Sequence, residues 1–141
     1  MHYYNSYSYY ALQCRDNSVC NLNENTKINT DTSSGIYQRN STINMNGAEI
    51  NANLSNSYGI YLYEGTLNIN DDSKINTPGE SSYGIYANYY VSTINMNAGD
   101  ITSGNVGVYF GTWSSSYNYS KTLNINGGNI YGKLYGVQQT N

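Results

Sequence analysis

A five-residue phrase, Thr42-Ile43-Asn44-Met45-Asn46, is written four times in this chain. It returns as Thr66-Leu67-Asn68-Ile69-Asn70, Thr93-Ile94-Asn95-Met96-Asn97 and Thr122-Leu123-Asn124-Ile125-Asn126. A degenerate copy, Val19-Cys20-Asn21-Leu22-Asn23, precedes them, and the successive spacings are 23, 24, 27 and 29 residues. Polar residues hold the odd positions and apolar residues the even ones, which is the period of a strand. A strand that recurs this regularly implies stacked copies of one unit.

Two further words complete the unit. One is Gly35-Ile36-Tyr37, repeated as Tyr58-Gly59-Ile60-Tyr61, Tyr83-Gly84-Ile85-Tyr86, Val106-Gly107-Val108-Tyr109 and Tyr135-Gly136-Val137-Gln138, with a degenerate start at Tyr10-Ala11-Leu12-Gln13. The other is a single apolar residue after a turn: Ile28, Ile50, Ile75, Ile101 and Ile130. No window carries apolar residues at helical spacing. One unit cannot bury its apolar row alone, but stacked coils pair each strand in parallel with its counterpart ~4.8 Å away. The expected fold is all-β: a single-stranded right-handed parallel β-helix (β-solenoid) of about five coils of about 24 residues. Handedness follows from the rule for parallel crossovers. Residues 1–141 are too few for two sizeable domains, so one β-helix domain is expected, read as a segment of a longer solenoid.

The predicted core is Cys20, Leu22, Ile28 and Ile36 in the first coil, then Ile43, Met45, Ile50 and Ile60. It continues through Leu67, Ile69, Ile75 and Ile85, then Ile94, Met96, Ile101 and Val108, and ends with Leu123, Ile125, Ile130 and Val137. The residue before each third-word Ile reads Lys27, Glu49, Lys74, Asp100 and Asn129. In-register stacking would make these an outward column of alternating sign, the favourable arrangement for neighbours on a sheet. Cys20 sits in an apolar slot and reads first as a buried core thiol; the alternative is a bridge to Cys14, which would place the chain in an oxidising compartment.

Composition narrows the function classes. Charged residues are 11% of the chain, the net charge is -3, and the six Lys and Arg are scattered, so no nucleic-acid footprint is present. No apolar run approaches the ~20 residues of a membrane span. Two Cys and the terminal His2 cannot furnish a closed zinc site, and no cofactor motif appears, so neither metal nor cofactor is expected. The start, Met1-His2-Tyr3-Tyr4, lacks the basic and apolar regions of a secretory signal. Asp71 and Asp72 are the only adjacent acids, and they occupy a turn slot that holds Gly or Ala elsewhere. A turn role suits them better than the facing carboxylates of a glycosidase. The chain is therefore read as non-enzymatic, with a polysaccharide lyase or hydrolase as the alternative.

Asn, with 24 residues, and Tyr, with 18, dominate the composition. The Asn columns, Asn44 to Asn124 and Asn46 to Asn126, are most simply amide ladders between coils. With the Thr column they also resemble the ice-binding face of β-solenoid antifreeze proteins, a second alternative. Coil length varies, however, and Asn stands where those proteins carry Thr. The outward column Tyr37, Tyr61, Tyr86 and Tyr109 is the best binding candidate, since Tyr joins a flat apolar face to a polar tip. Self-stacking of the same rings would stabilise the coil with no ligand. The expected site comprises Tyr86 and Tyr109 together with the loop aromatics Tyr89, Tyr90, Trp113, Tyr117 and Tyr119. Loops at a solenoid edge are where specificity is usually carried, and the longest connection, 110–121, holds the only Trp and the only Phe.

Units such as Thr122-Leu123-Asn124-Ile125-Asn126-Gly127-Gly128-Asn129-Ile130, followed by Tyr-Gly-Val or Tyr-Gly-Ile-Tyr, resemble the passenger regions of bacterial autotransporters and related adhesin-like surface proteins. The similarity runs from Tyr10 to Gln138. It implies a right-handed β-helix that is secreted to the outer-membrane surface of a Gram-negative cell and serves adhesion. The implied partners are a host surface protein or glycan, with no nucleic acid and no membrane insertion by this segment. The uncapped coil edges add end-to-end or edge self-association. Signal and membrane β-barrel would have to come from flanking sequence.

Overall fold

The computed structural model describes residues 9–31, 33–112 and 119–140. The alternating phrases form strands, and no helix occurs among the described residues. After β1 (Tyr10–Arg15) come five sets of three. These are β2 (Val19–Asn23), β3 (Lys27–Thr30) and β4 (Ser34–Arg39); then β5 (Ser41–Asn46), β6 (Glu49–Ala52) and β7 (Tyr58–Leu62). They continue with β8 (Gly65–Asn70), β9 (Lys74–Thr77) and β10 (Tyr83–Ala87), and β11 (Ser92–Met96), β12 (Asp100–Ser103) and β13 (Val106–Phe110). The last set is β14 (Lys121–Ile125), β15 (Asn129–Gly132) and β16 (Tyr135–Gln139).

Each set gives one strand to each of three sheets, ordered β1-β4-β7-β10-β13-β16, β2-β5-β8-β11-β14 and β3-β6-β9-β12-β15. Every pairing within these sheets is parallel. The chain is therefore a parallel β-solenoid. The register is the one the apolar positions dictate: Ile43 lies beside Leu67, Leu67 beside Ile94, and Ile94 beside Leu123.

Side chains from all three sheets meet in one core. Ile36, Ile43, Met45, Ile50, Ile60, Leu67, Ile69, Ile75, Ile85, Ile94, Met96 and Val108 are fully buried. Each such burial contributes roughly 1.5–3 kcal/mol before the ordering of the chain is set against it. The last set departs from the expected core. Ile125 is 54% exposed and Val137 43%, while Leu123 and Ile130 are only partly buried. β14, β15 and β16 have a neighbouring coil on one side only among the described residues, so half of each cover is missing.

The glycine of the Gly-Ile-Tyr word has a packing cause. A Cβ on Gly84 would lie 2.5 Å from the carbonyl oxygen of Gly107, and one on Gly59 would lie 2.6 Å from that of Gly84. The coils approach too closely at Gly59 and Gly84 for any larger residue. The corner after the second sheet also has a fixed chemistry. Asn25, Gly47, Asp71, Gly99 and Gly128 all take positive φ there, at 68°, 82°, 54°, 84° and 89°. Gly and Asn or Asp tolerate that conformation best, so Asp71 holds a turn position.

The expected charge column forms. Lys27 is the register partner of Glu49, Glu49 of Lys74, and Lys74 of Asp100. Lys27 Nζ lies 3.3 Å from Glu49 Oε2, and Asn129 donates to Asp100 Oδ1 at 2.8 Å. A hydrogen bond from Asn51 and the Lys27 ammonium hold the Glu49 carboxyl below its ordinary range.

One expectation is corrected outright. Cys20 is no free core thiol; it is bridged to Cys14. Cys14 lies near the end of β1, in the inward column that continues as Gln38 and Leu62, and it is 1% exposed. Cys20 begins the next sheet in the inward column of Ile43. The turn between them brings two inward positions together across the corner.

Candidate functional site

The first sheet carries its tyrosines outward in a continuous stack. Tyr37 and Tyr61 have ring centroids 5.7 Å apart, Tyr61 and Tyr86 5.5 Å, and Tyr86 and Tyr109 5.0 Å with planes only 13° apart. Tyr10 closes one end at 4.8 Å from Tyr37. The in-register ladder sets this spacing, since one coil advances ~4.8 Å. A second row flanks the first: Tyr58 meets Tyr61 edge-on at 5.4 Å, and Tyr83 meets Tyr86 edge-on at 5.2 Å. These tilted and edge arrangements are the ones aromatic quadrupoles favour.

A third group lies beyond the strand ends. Tyr63 stacks on Tyr89 at 4.8 Å and touches Tyr90 at 5.0 Å, and Tyr90 contacts Tyr119 at 4.8 Å. This group touches the central stack, with Tyr63 6.3 Å from Tyr37 and Tyr89 6.2 Å from Tyr61, and the two together line an open cleft of about 400 Å³ formed by Tyr10, Tyr37, Tyr61, Tyr63, Tyr89 and Tyr90. The Arg39 guanidinium sits at its rim, 5.4 Å from the Tyr63 ring centroid, a cation–π geometry.

The charges on this face are Arg39 and its register partner Arg15. Burial pushes the Tyr58 and Tyr86 hydroxyls up. Burial and then a hydrogen bond to Tyr89 hold Tyr61 far above its ordinary value. A hydrogen bond to Tyr90, with some burial, pushes Tyr63 up to about 12. Burial also raises Tyr37, partly offset by the Arg39 charge. All five keep their protons at neutral pH, so the cleft offers flat apolar rings edged with neutral hydroxyls.

Of the residues expected from the sequence, Tyr86 and Tyr109 stand in the central stack, and Tyr109 hydrogen-bonds Thr140 Oγ1 at 2.8 Å. Tyr89 and Tyr90 line the cleft, and Tyr119 packs on Tyr90. Trp113 and Tyr117 lie outside the described residues, as does the rest of 113–118 in the 110–121 connection. The expected site did not include Tyr10 or Tyr63, which line the cleft. The signal for Tyr63 was its place two residues after Tyr61, just past the end of β7.

The other polar columns are occupied with themselves. Asn44, Asn68, Asn95 and Asn124 each donate to the Asn one coil back at 2.7–2.8 Å, beginning at Asn21. Asn46, Asn70, Asn97 and Asn126 repeat this from Asn23, at 2.8–3.3 Å. A third ladder, Asn29-Asn51-Asn76, runs along the third sheet. Asp71 and Asp72 are exposed and line a shallow cleft of about 380 Å³ with Asn23, Glu24, Asn46 and Gly47. Compared with known protein families, curated proteins and solved structures, the chain finds no match.

Proposed function

We propose that this chain is a non-enzymatic, adhesin-like module that contacts a host surface or glycan through its tyrosine face. The cleft bounded by six tyrosines carries this reading. The central stack and the Tyr63-Tyr89-Tyr90 group are in ring contact with each other and still leave an open, aromatic-lined cleft facing solvent. Ligand sites are typically concave and aromatic-lined with a few polar groups. The Cys14–Cys20 bridge supports an oxidising, extracellular setting. The solenoid and its repeat words support the autotransporter-like resemblance, with display at a cell surface through flanking sequence.

A glycan array and a cell-adherence assay test the reading. The wild-type chain is expected to bind, and Tyr63→Ala and Tyr89→Ala to abolish the signal while the fold persists. A silent array with no adherence contradicts the reading. Turnover of a polysaccharide panel, lost on Asp71→Asn or Asp72→Asn, would replace it with the enzymatic alternative.

A further inference from the structure

The chain contains two arginines, Arg15 and Arg39, and they are direct register partners on the first sheet. Like charges placed opposite one another on adjacent strands are unfavourable. The third sheet avoids this, alternating Lys27, Glu49, Lys74 and Asp100. The arginine pair breaks the rule the rest of the solenoid obeys, and such local violations mark functional positions. Scaffold contacts only partly occupy it. Arg15 lies 3.9 Å from Asp16, an exposed pairing worth little in water, and 3.4 Å from Gln13 Oε1. Arg39 lies over the Tyr63 ring, 5.4 Å from its centroid, and its charge acts on the neighbouring Tyr37 hydroxyl. Its cationic group is thereby held at the mouth of the aromatic cleft.

We propose that the cleft binds a carboxylated sugar, a uronate-type residue of a glycan chain, with the pyranose ring against the tyrosines and the carboxylate on the Arg39 guanidinium at the rim. This rests on the tyrosine face being a glycan-contact surface and adds the chemical class of the ligand. The planar guanidinium fork of Arg39 matches a carboxylate. A bound carboxylate also relieves the repulsion between the pair. The aromatic rows recur at the coil spacing, so a linear glycan can lay successive rings on successive coils.

Isothermal titration of the chain with oligogalacturonate and with its fully methyl-esterified form tests the assignment, because esterification removes the charge and keeps the ring. The free acid is expected to bind about tenfold more tightly, the size of one charge-assisted hydrogen bond. Arg39→Gln should lower it to the level of the ester, and Lys133→Gln, on a different cleft, should change nothing. Thermal melts confirm that each variant is folded. Equal binding of acid and ester, unchanged by Arg39→Gln, overturns the carboxylate assignment and leaves the tyrosine reading standing. Binding of neither form, together with a silent array, removes the tyrosine reading as well.

Discussion

Asn68 donates its side-chain amide to Asn44 Oδ1 at 2.7 Å and accepts at its own Oδ1 from Asn95 at 2.8 Å. Each interior amide of the column, Asn44, Asn68 and Asn95, is thus both donor and acceptor, which explains why Asn recurs so faithfully at this position. Asn68→Asp keeps the shape and removes the donor, leaving an anion facing the Asn44 oxygen. Urea denaturation should show a loss of about 1–3 kcal/mol.

Gly84→Ala tests the close approach of the coils. The added methyl would meet the Gly107 carbonyl, which is backbone and cannot move alone. Overpacking of this kind costs about 1–3 kcal/mol, and the melting temperature should fall accordingly. The neighbouring substitution Ala87→Gly introduces no clash and should cost less.

The Cys14–Cys20 bridge closes a short loop. Replacing both residues with Ser should lower stability by about 2 kcal/mol, the entropy of so small a ring. The same loss should follow addition of a reductant to the wild type and be absent in the double variant.

The tyrosine face predicts an alkaline limit. Tyr37, Tyr58, Tyr61, Tyr63 and Tyr86 all have hydroxyls raised above the ordinary value of 10.0. A group raised in the folded state contributes stability that is complete below its unfolded value and is lost as pH rises through the folded one. Stability should therefore hold to about pH 10 and decline above it. Ultraviolet titration should show a class of tyrosines that ionises only there, and Tyr61→Phe should reduce its amplitude.

Much of the fold was legible because the same alternation is written at every coil, and the period of two assigns Ile43 and Met45 inward and Asn44 outward without ambiguity. The bridge was not, because Cys20 fills an apolar slot where a thiol and a half-cystine look alike. A bridge to Cys14 stood as the alternative, and what decided for it is that Cys14 shares the inward column of Gln38 and Leu62. The last coil was over-assigned to the core, since a pattern at Ile125 and Val137 reveals the inward direction but not whether a neighbour covers it. The site was legible in its residue type and less so in its place. Tyr86 and Tyr109 come from a repeated word, but Tyr63 and Arg39 meet only through coil-to-coil register, which lies outside any local motif.

The amide ladders, the tyrosine stack and the arginine pair all depend on that one parallel register. Spin labels at Lys27→Cys and Lys74→Cys test it most directly, because both positions are exposed and lie in one column two coils apart. The account predicts strong dipolar broadening from backbone positions about 10 Å apart. A doubly labelled spectrum equal to the sum of the two single ones would contradict it.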